Sequence, residues 1–456
     1  MKIAVAPTVA SIGLCYALVV IALLLWPGAG AVTVSLGFAL TAVAAWALLR
    51  TCRFDSVAIR CVMLGVLTVL TVGVVINTWY FTTASGGTLA DPVLQNYDAQ
   101  RTWGRAAFML FDRPMEIGAS RSDDSALFWV VFMWLFGANI TVPLLVSTFC
   151  AVMAIIMAGK VAYRVTGDAR VARLTMIFMA LTGYFLSQAT VLIKDCPLTL
   201  AMALMAYGLA GISRSGRPSE TCLPMFAAVV ITAVLRPHML LMYAVGALFF
   251  IGRGRRGVIA PLVVAAVCLL VMWGKSYIGA VTSPVIIIES SDNIVMPEAS
   301  TAAYDGIIGD YLTMPLWRKL LWLPVMVVVQ FLVPFPWNFS RDIIFGPTMV
   351  LAHCDYVWYL AGGLIVYWLA VMARRAPAPL LRIVLWGVAL TVGTALMTSG
   401  RVSRYCLPFL PLLLPAAASA VVYAGRRRSL QIWMAVFVTM LASGLIVCHH
   451  LQMSAL

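Results

Sequence analysis

Charge is scarce in this sequence. Asp, Glu, Lys and Arg make up 11% of 456 residues against 63% hydrophobic, and mean hydropathy is +0.99. A soluble domain of this length could not hide so much apolar surface. Histidine is rarer still. The four are His238, His353, His449 and His450, and no HExxH pattern occurs, so a metalloprotease has no support. A GxxxxGK[ST] loop is missing, which argues against ATP as the energy source. There are ten cysteines but no CxxC pair. Cys15, Cys61, Cys150, Cys268 and Cys448 sit in apolar runs and read as small core hydrophobes, not as a disulfide framework or zinc site. Internal repeats, low-complexity tracts and flexible linkers are also missing, and a single domain over 1–456 is the economical reading.

What is present is a series of apolar runs, each of about 18 to 20 residues, the length of a membrane-crossing helix. The expected fold class is an all-α, polytopic integral membrane protein with about 13 transmembrane helices (range 11–14). The spans are placed at 6–26, 31–49, 61–81, 141–163, 171–190, 196–213, 222–236, 238–252, 257–273, 352–373, 380–398, 405–424 and 430–449. Lys2 and the run to Trp26 have the layout of a signal peptide. A second span follows at once without a small-residue cleavage site, so an uncleaved first helix is expected.

Orientation follows from the connections. Those carrying Arg50, Arg53, Arg60, Lys160, Arg164, Arg170, Arg173, Arg214, Arg217, Arg253, Arg255, Arg256, Arg374, Arg375, Arg382, Arg426, Arg427 and Arg428 are expected on the cytoplasmic side. With Lys2 they hold most of the 31 basic residues but only three of the 17 acids, Asp55, Asp168 and Glu220. The net charge of +14 thus belongs to membrane orientation and not to nucleic acid. The N-terminus is expected in the cytoplasm. The long segments 82–125 and 274–350 are expected to cap the bundle on the outer face, and short loops favour a bacterial plasma membrane. The run Leu320 to Trp337 fits poorly as a span, because Pro324, Pro334 and Pro336 would interrupt a regular helix. A re-entrant or surface helix is expected there, and Phe128 to Phe136 is similarly ambiguous.

Charged groups near a bilayer are costly, so each asks for a partner, a wet cavity or a function. Four clusters fall at expected outer helix ends. In "NYDAQRTWGRA", Asp98 has the chemistry of a general base for an acceptor hydroxyl; it could equally be a solvated carboxylate paired with Arg101 or Arg105. Asp91, Asp123 and Asp124 compete with it. In "ATVLIKDCPLTLAM", Lys194 and Asp195 interrupt apolar sequence. They read as a helix start with Pro197 in its first turn, as a phosphate-contacting lysine oriented by its acid, or as both. In "AVLRPHML", Arg236 and His238 flank Pro237; a turn explains the proline but not both flanking residues. In "SGRVSRYCLPFLP", Arg401, Arg404 and Tyr405 open a span. Snorkelling toward headgroups is one account of these arginines; bidentate phosphate binding is the other, with Arg404 preferred and Arg401 the alternate.

The run from Asp123 to Ala210 resembles the GT-C superfamily of membrane glycosyltransferases, which includes protein O-mannosyltransferases and lipid A aminoarabinose transferases. The likeness lies in an acidic outer loop, a half-helix ending in "LFG", a span, a small cytoplasmic turn and two short spans joined by a polar turn. "RVSRYCLPFLPLLLPAAA" is similar to the family's late Arg-Tyr-x-x-Pro span entry. Ala99 stands where a second acid of the first loop is usual, and "SDDSALFW" replaces the usual His-Pro-Pro.

The resemblance implies a GT-C-like bundle with outer-face loops and an inverting transfer of a sugar from a polyprenyl-phosphate donor to an acceptor hydroxyl at the extracytoplasmic face. It implies Asp98 as the base, with Lys194, Arg236 and Arg404 stabilising the departing phosphate. The acceptor would be a glycan, lipid or protein. No cofactor is specified, no metal ligands are assigned, and a divalent-metal requirement is left open. Competing readings are a polysaccharide polymerase or ligase acting on lipid-pyrophosphate-linked glycans, and, ranked third, a secondary transporter or flippase.

Overall fold

The computed structural model describes residues 57–84, 110, 125–136, 141–212, 218–252, 255–282, 315–332, 351, 356–397, 403–424, 431 and 434. Among the described residues every regular element is helical. In chain order they are α1 (Val57–Ala84), α2 (Ser125–Phe136), α3 (Thr141–Thr166), α4 (Ala169–Leu181), α5 (Gly183–Ala189), α6 (Asp195–Ile212) and α7 (Pro218–Leu235). They continue with α8 (Leu240–Phe249), α9 (Arg255–Thr282), α10 (Leu316–Leu332), α11 (Tyr356–Tyr367), α12 (Ala378–Met397) and α13 (Leu410–Ala424). Short 3-10 turns at Pro237–Met239 and Ser403–Phe409 lead into α8 and α13.

Among the described residues seven helices are long and apolar enough to cross a bilayer, or eight if the bent pair α4 and α5 is one span. The expected spans 6–26 and 31–49 lie outside the described residues, as does 430–449 apart from 431 and 434. Three differences from expectation have physical causes. The expected span 171–190 bends by 63° at Thr182. There the Thr182 hydroxyl donates to the Phe178 carbonyl oxygen at 2.9 Å, and Gly183 follows, a poor helix residue. The expected spans 222–236 and 238–252 are found as shorter apolar helices rather than full-length crossings, with the chain broken between them at Arg236, which precedes Pro237 and leaves the helical region (φ −153°, ψ 80°). Around Pro324, where an interruption was expected, α10 continues.

Burial sorts the helices. In α3, α6 and the Tyr405–Ala424 span, 83% of the apolar window is buried by protein, against 17% for Gly257–Gly274 in α9. The first three form the centre and α9 presents its side chains outward. Their sequences explain the difference. α3 carries Ala151, Ala154, Ala158, Gly159 and Ala162 and α6 carries Ala201, Ala203, Ala206, Gly208 and Gly211, all buried or nearly so, and small residues let membrane helices approach closely. At Gly208 a Cβ would meet the Thr221 carbonyl oxygen at 2.9 Å, so α6 and α7 cross closely there.

The end where α6 stops and α7 starts is tied by Arg164. Its guanidinium lies 4.1 Å from the Tyr207 ring centre, donates to the Glu220 carbonyl oxygen at 3.4 Å and occupies the space beside Gly211. Nearby, Gly167 takes the left-handed conformation (φ 75°) that ends α3, and its N–H donates to the Tyr163 carbonyl oxygen at 2.8 Å. Asp168 then caps α4 by accepting from the Arg170 N–H at 2.8 Å. The Arg170 guanidinium, hydrogen-bonded to Asp168, holds that carboxyl below the usual carboxylate range. The Tyr423 hydroxyl donates to Asp168 Oδ2 at 3.2 Å, joining α4 to α13.

Candidate functional site

The opposite end of the bundle holds the charged residues that stood out in the sequence. Between α5 and α6 the chain makes a tight buried turn, with the Ile193 N–H donating to the Val191 carbonyl oxygen at 2.9 Å. Asp195 then begins α6, and Pro197 fits in the first turn because no N–H is needed there. Across from it α7 ends at Leu235. Backbone bonds hold Arg236 on both sides: its N–H donates to the Thr232 carbonyl oxygen at 2.8 Å, and its own carbonyl accepts from Met239 at 2.9 Å.

Asp195 is fully buried, and neither carboxylate oxygen has a hydrogen-bond partner among the described residues. Arg236 faces it, with Nη1 at 3.9 Å from Oδ1. Arg236 is itself 8% exposed, and its guanidinium sits 4.9 Å from the centre of the Tyr405 ring. At this separation the gross attraction between unit charges is on the order of 4 kcal/mol at an effective dielectric of about 20. A cation–π contact contributes about 1–2 kcal/mol. Asp195 is therefore the stronger influence on where the guanidinium rests. A 3.9 Å ion pair is also too long for a hydrogen bond, so Asp195 does not occupy the N–H donors of Arg236.

Lys194 and His238 complete the group. The charges of Arg236 and Lys194 are both felt at the His238 imidazole, which lies at the exposed edge. Five of the residues singled out for donor binding, Lys194, Asp195, Arg236, His238 and Tyr405, thus come to one end of the bundle from three distant parts of the chain. Arg404 lies in the 403–409 turn, which packs on α6, but its side chain is outside the described residues. Asp91, Asp98, Asp123, Asp124 and Arg401 also lie outside them.

One residue at this end carried no sequence signal beyond being polar in an apolar run. Asn77 is fully buried in α1, and its amide donates to the Thr190 carbonyl oxygen at 2.7 Å, bracing the turn that leads to Lys194. Behind it, the hydroxyls of Thr232 and Tyr243 share a buried hydrogen bond of 2.8 Å that joins α7 to α8. Among the described residues no group of three or more His, Cys, Asp or Glu side chains is placed to hold a metal ion. What the arrangement can do chemically is hold an anion: Arg236 is held beside a buried carboxylate that leaves its N–H donors open, and the charges of Lys194 and Arg236 both reach His238. We find no protein-family model, no curated protein and no solved structure that matches this chain.

Proposed function

We propose that this membrane protein is an inverting glycosyltransferase that draws on a polyprenyl-phosphate sugar. The observation that carries the reading is the Arg236 guanidinium, flanked by Asp195 and Tyr405, with Lys194 and His238 beside it. Its N–H groups suit a phosphate oxygen, and a partly desolvated site strengthens that interaction. Sparse charge elsewhere among the spans makes an anionic headgroup the natural occupant.

In this reading Asp98 takes the proton of an acceptor hydroxyl as that oxygen attacks the anomeric carbon. The bond from that carbon to the phosphate oxygen breaks, and its electron pair leaves with the lipid phosphate. Lys194, Arg236 and Arg404 stabilise the charge that grows there. The lipid tail stays among the helices, which accounts for a sugar transferase so rich in membrane-spanning sequence. The site faces the extracytoplasmic side of a bacterial plasma membrane.

The test is to incubate the purified protein with radiolabelled polyprenyl-phosphate sugars and an acceptor extract. One donor should be consumed, Arg236→Gln should slow that by about a hundredfold or more, and Asp98→Asn should abolish it. Consumption of no donor would overturn the reading. Full turnover by Asp98→Asn, with loss in Arg236→Gln, would favour the polymerase or ligase reading instead.

A further inference from the structure

We propose that Thr232 and Tyr243 are positioning residues for Arg236: the hydrogen bond between their hydroxyls sets where the guanidinium stands to meet the donor's phosphate. The identity of that ligand rests on the glycosyl-transfer reading; the placement of Arg236 does not.

Arg236 stands in the break between α7 and α8, and its backbone is tied to both sides. Its N–H donates to the Thr232 carbonyl oxygen at 2.8 Å, and its carbonyl accepts from the Met239 N–H at 2.9 Å, in the turn that opens α8. Because Arg236 leaves the helical region (φ −153°, ψ 80°), no continuous helix carries the direction of α7 into α8. Pro237 fixes one dihedral of the turn and no more. The angle between the helices is left to contacts across the break.

Thr232 supplies such a contact with its side chain. Its hydroxyl lies 2.8 Å from the Tyr243 hydroxyl, and both residues are fully buried. Other buried threonines do something different. Thr175, Thr182, Thr391 and Thr394 each donate to the carbonyl four residues before them. Thr232 reaches across to α8 instead, so one residue holds Arg236 by its carbonyl and the next helix by its hydroxyl. That bond is directional and weakens if the helices slide by about an ångström. In apolar surroundings neither hydroxyl has water as a substitute partner. Arg236 depends on such placement because its side-chain contacts are loose: 3.9 Å to Asp195 and 4.9 Å to the Tyr405 ring centre, neither a hydrogen bond.

The test uses the full chain in nanodiscs, with undecaprenyl phosphate as the probe. Tyr243→Phe keeps the ring and Thr232→Val keeps the shape, and each should weaken binding about three- to tenfold. The double variant should bind no more weakly than either single one, since all three lose the same bond. Thr232→Ser keeps the hydroxyl and should bind as the parent does. A second readout needs no lipid: the rate at which an arginine-selective dicarbonyl modifies Arg236, followed by mass spectrometry, should change in Tyr243→Phe and Thr232→Val but not in Thr232→Ser. A bond serving stability alone would lower the melting temperature and leave both affinity and modification rate unchanged, which would overturn the proposal. Additive losses in the double variant would overturn it too. A parent protein that binds no probe, with modification rates that still follow the hydroxyls, would overturn the phosphate reading and leave the positioning of Arg236 supported.

Discussion

The indole N–H of Trp386 donates to the carbonyl oxygen of Met242 at 3.1 Å, which puts a hydrogen bond between α12 and α8 inside the apolar part of the molecule. The contact depends on the next turn of α8, where Gly246 has no side chain. A Cβ there would run into the six-membered part of the indole.

Gly246→Ala should therefore destabilise the protein by about 1–3 kcal/mol through overpacking. Trp386→Phe should also cost stability, since the smaller ring gives up the hydrogen bond. The two changes should be less than additive, because the phenyl ring leaves room for the new methyl group. Melting temperatures of the four proteins in one detergent would show this. Strict additivity would mean that the ring and the glycine do not touch.

Arg164 makes a different kind of connection, from α3 to both α6 and α7. Arg164→Ala should lower stability by about 1–3 kcal/mol, chiefly through the lost contact with Tyr207. Arg164→Lys should recover little of it, since an ammonium cannot stack flat on the ring. Gly211→Ala should mimic the loss by displacing the guanidinium. Thermal unfolding of the three variants checks the order. Full stability of Gly211→Ala would contradict the packing.

Asp168 gives a pH dependence whose sign is fixed. Its carboxyl is held below the ordinary value by Arg170, so ionised Asp168 stabilises the folded state. That contribution is present above the unfolded value of about 3.9 and fades as pH falls through the lower folded value. Asp168→Asn keeps a capping side chain but not the charge. It should melt below the parent protein at pH 7 and approach it at the acid end of that window. A difference independent of pH would rule out the charge as the cause.

Asp195 and Arg236 allow structure to be separated from activity. Arg236→Gln takes a facing cation away from a buried carboxylate and should cost about 3–5 kcal/mol. Adding Asp195→Asn should restore much of the folded yield while turnover stays low. Yield by fluorescence-detected size exclusion, beside an activity assay, gives the two readouts. A double variant no more stable than the single one would remove Asp195 as the partner of Arg236.

Much of the bundle could be read along the chain because lipid demands long apolar helices. The expected 141–163, 196–213 and 380–398 are found as Thr141–Thr166, Asp195–Ile212 and Ala378–Met397. The bend at Thr182 could not be read, because apolar residues continue on both sides of it and a threonine bonded to its own helix, followed by glycine, looks like ordinary span sequence. Pro324 misled in the opposite direction: a proline removes one backbone bond, and the rest of α10 holds. At the charged end, Lys194, Asp195, Arg236 and His238 stood out because an ionisable group in apolar sequence is expensive. The cation–π contact of Arg236 with Tyr405 was hidden, since nothing in the spacing of two distant segments says that they meet.

The fully buried acid at the head of α6 also bears on how the protein is made. A carboxylate entering hydrocarbon alone is strongly disfavoured, and Arg236 is synthesised only after α6 and α7 are complete. Insertion of α6 and α7 together as a hairpin would let Asp195 and Arg236 enter already paired.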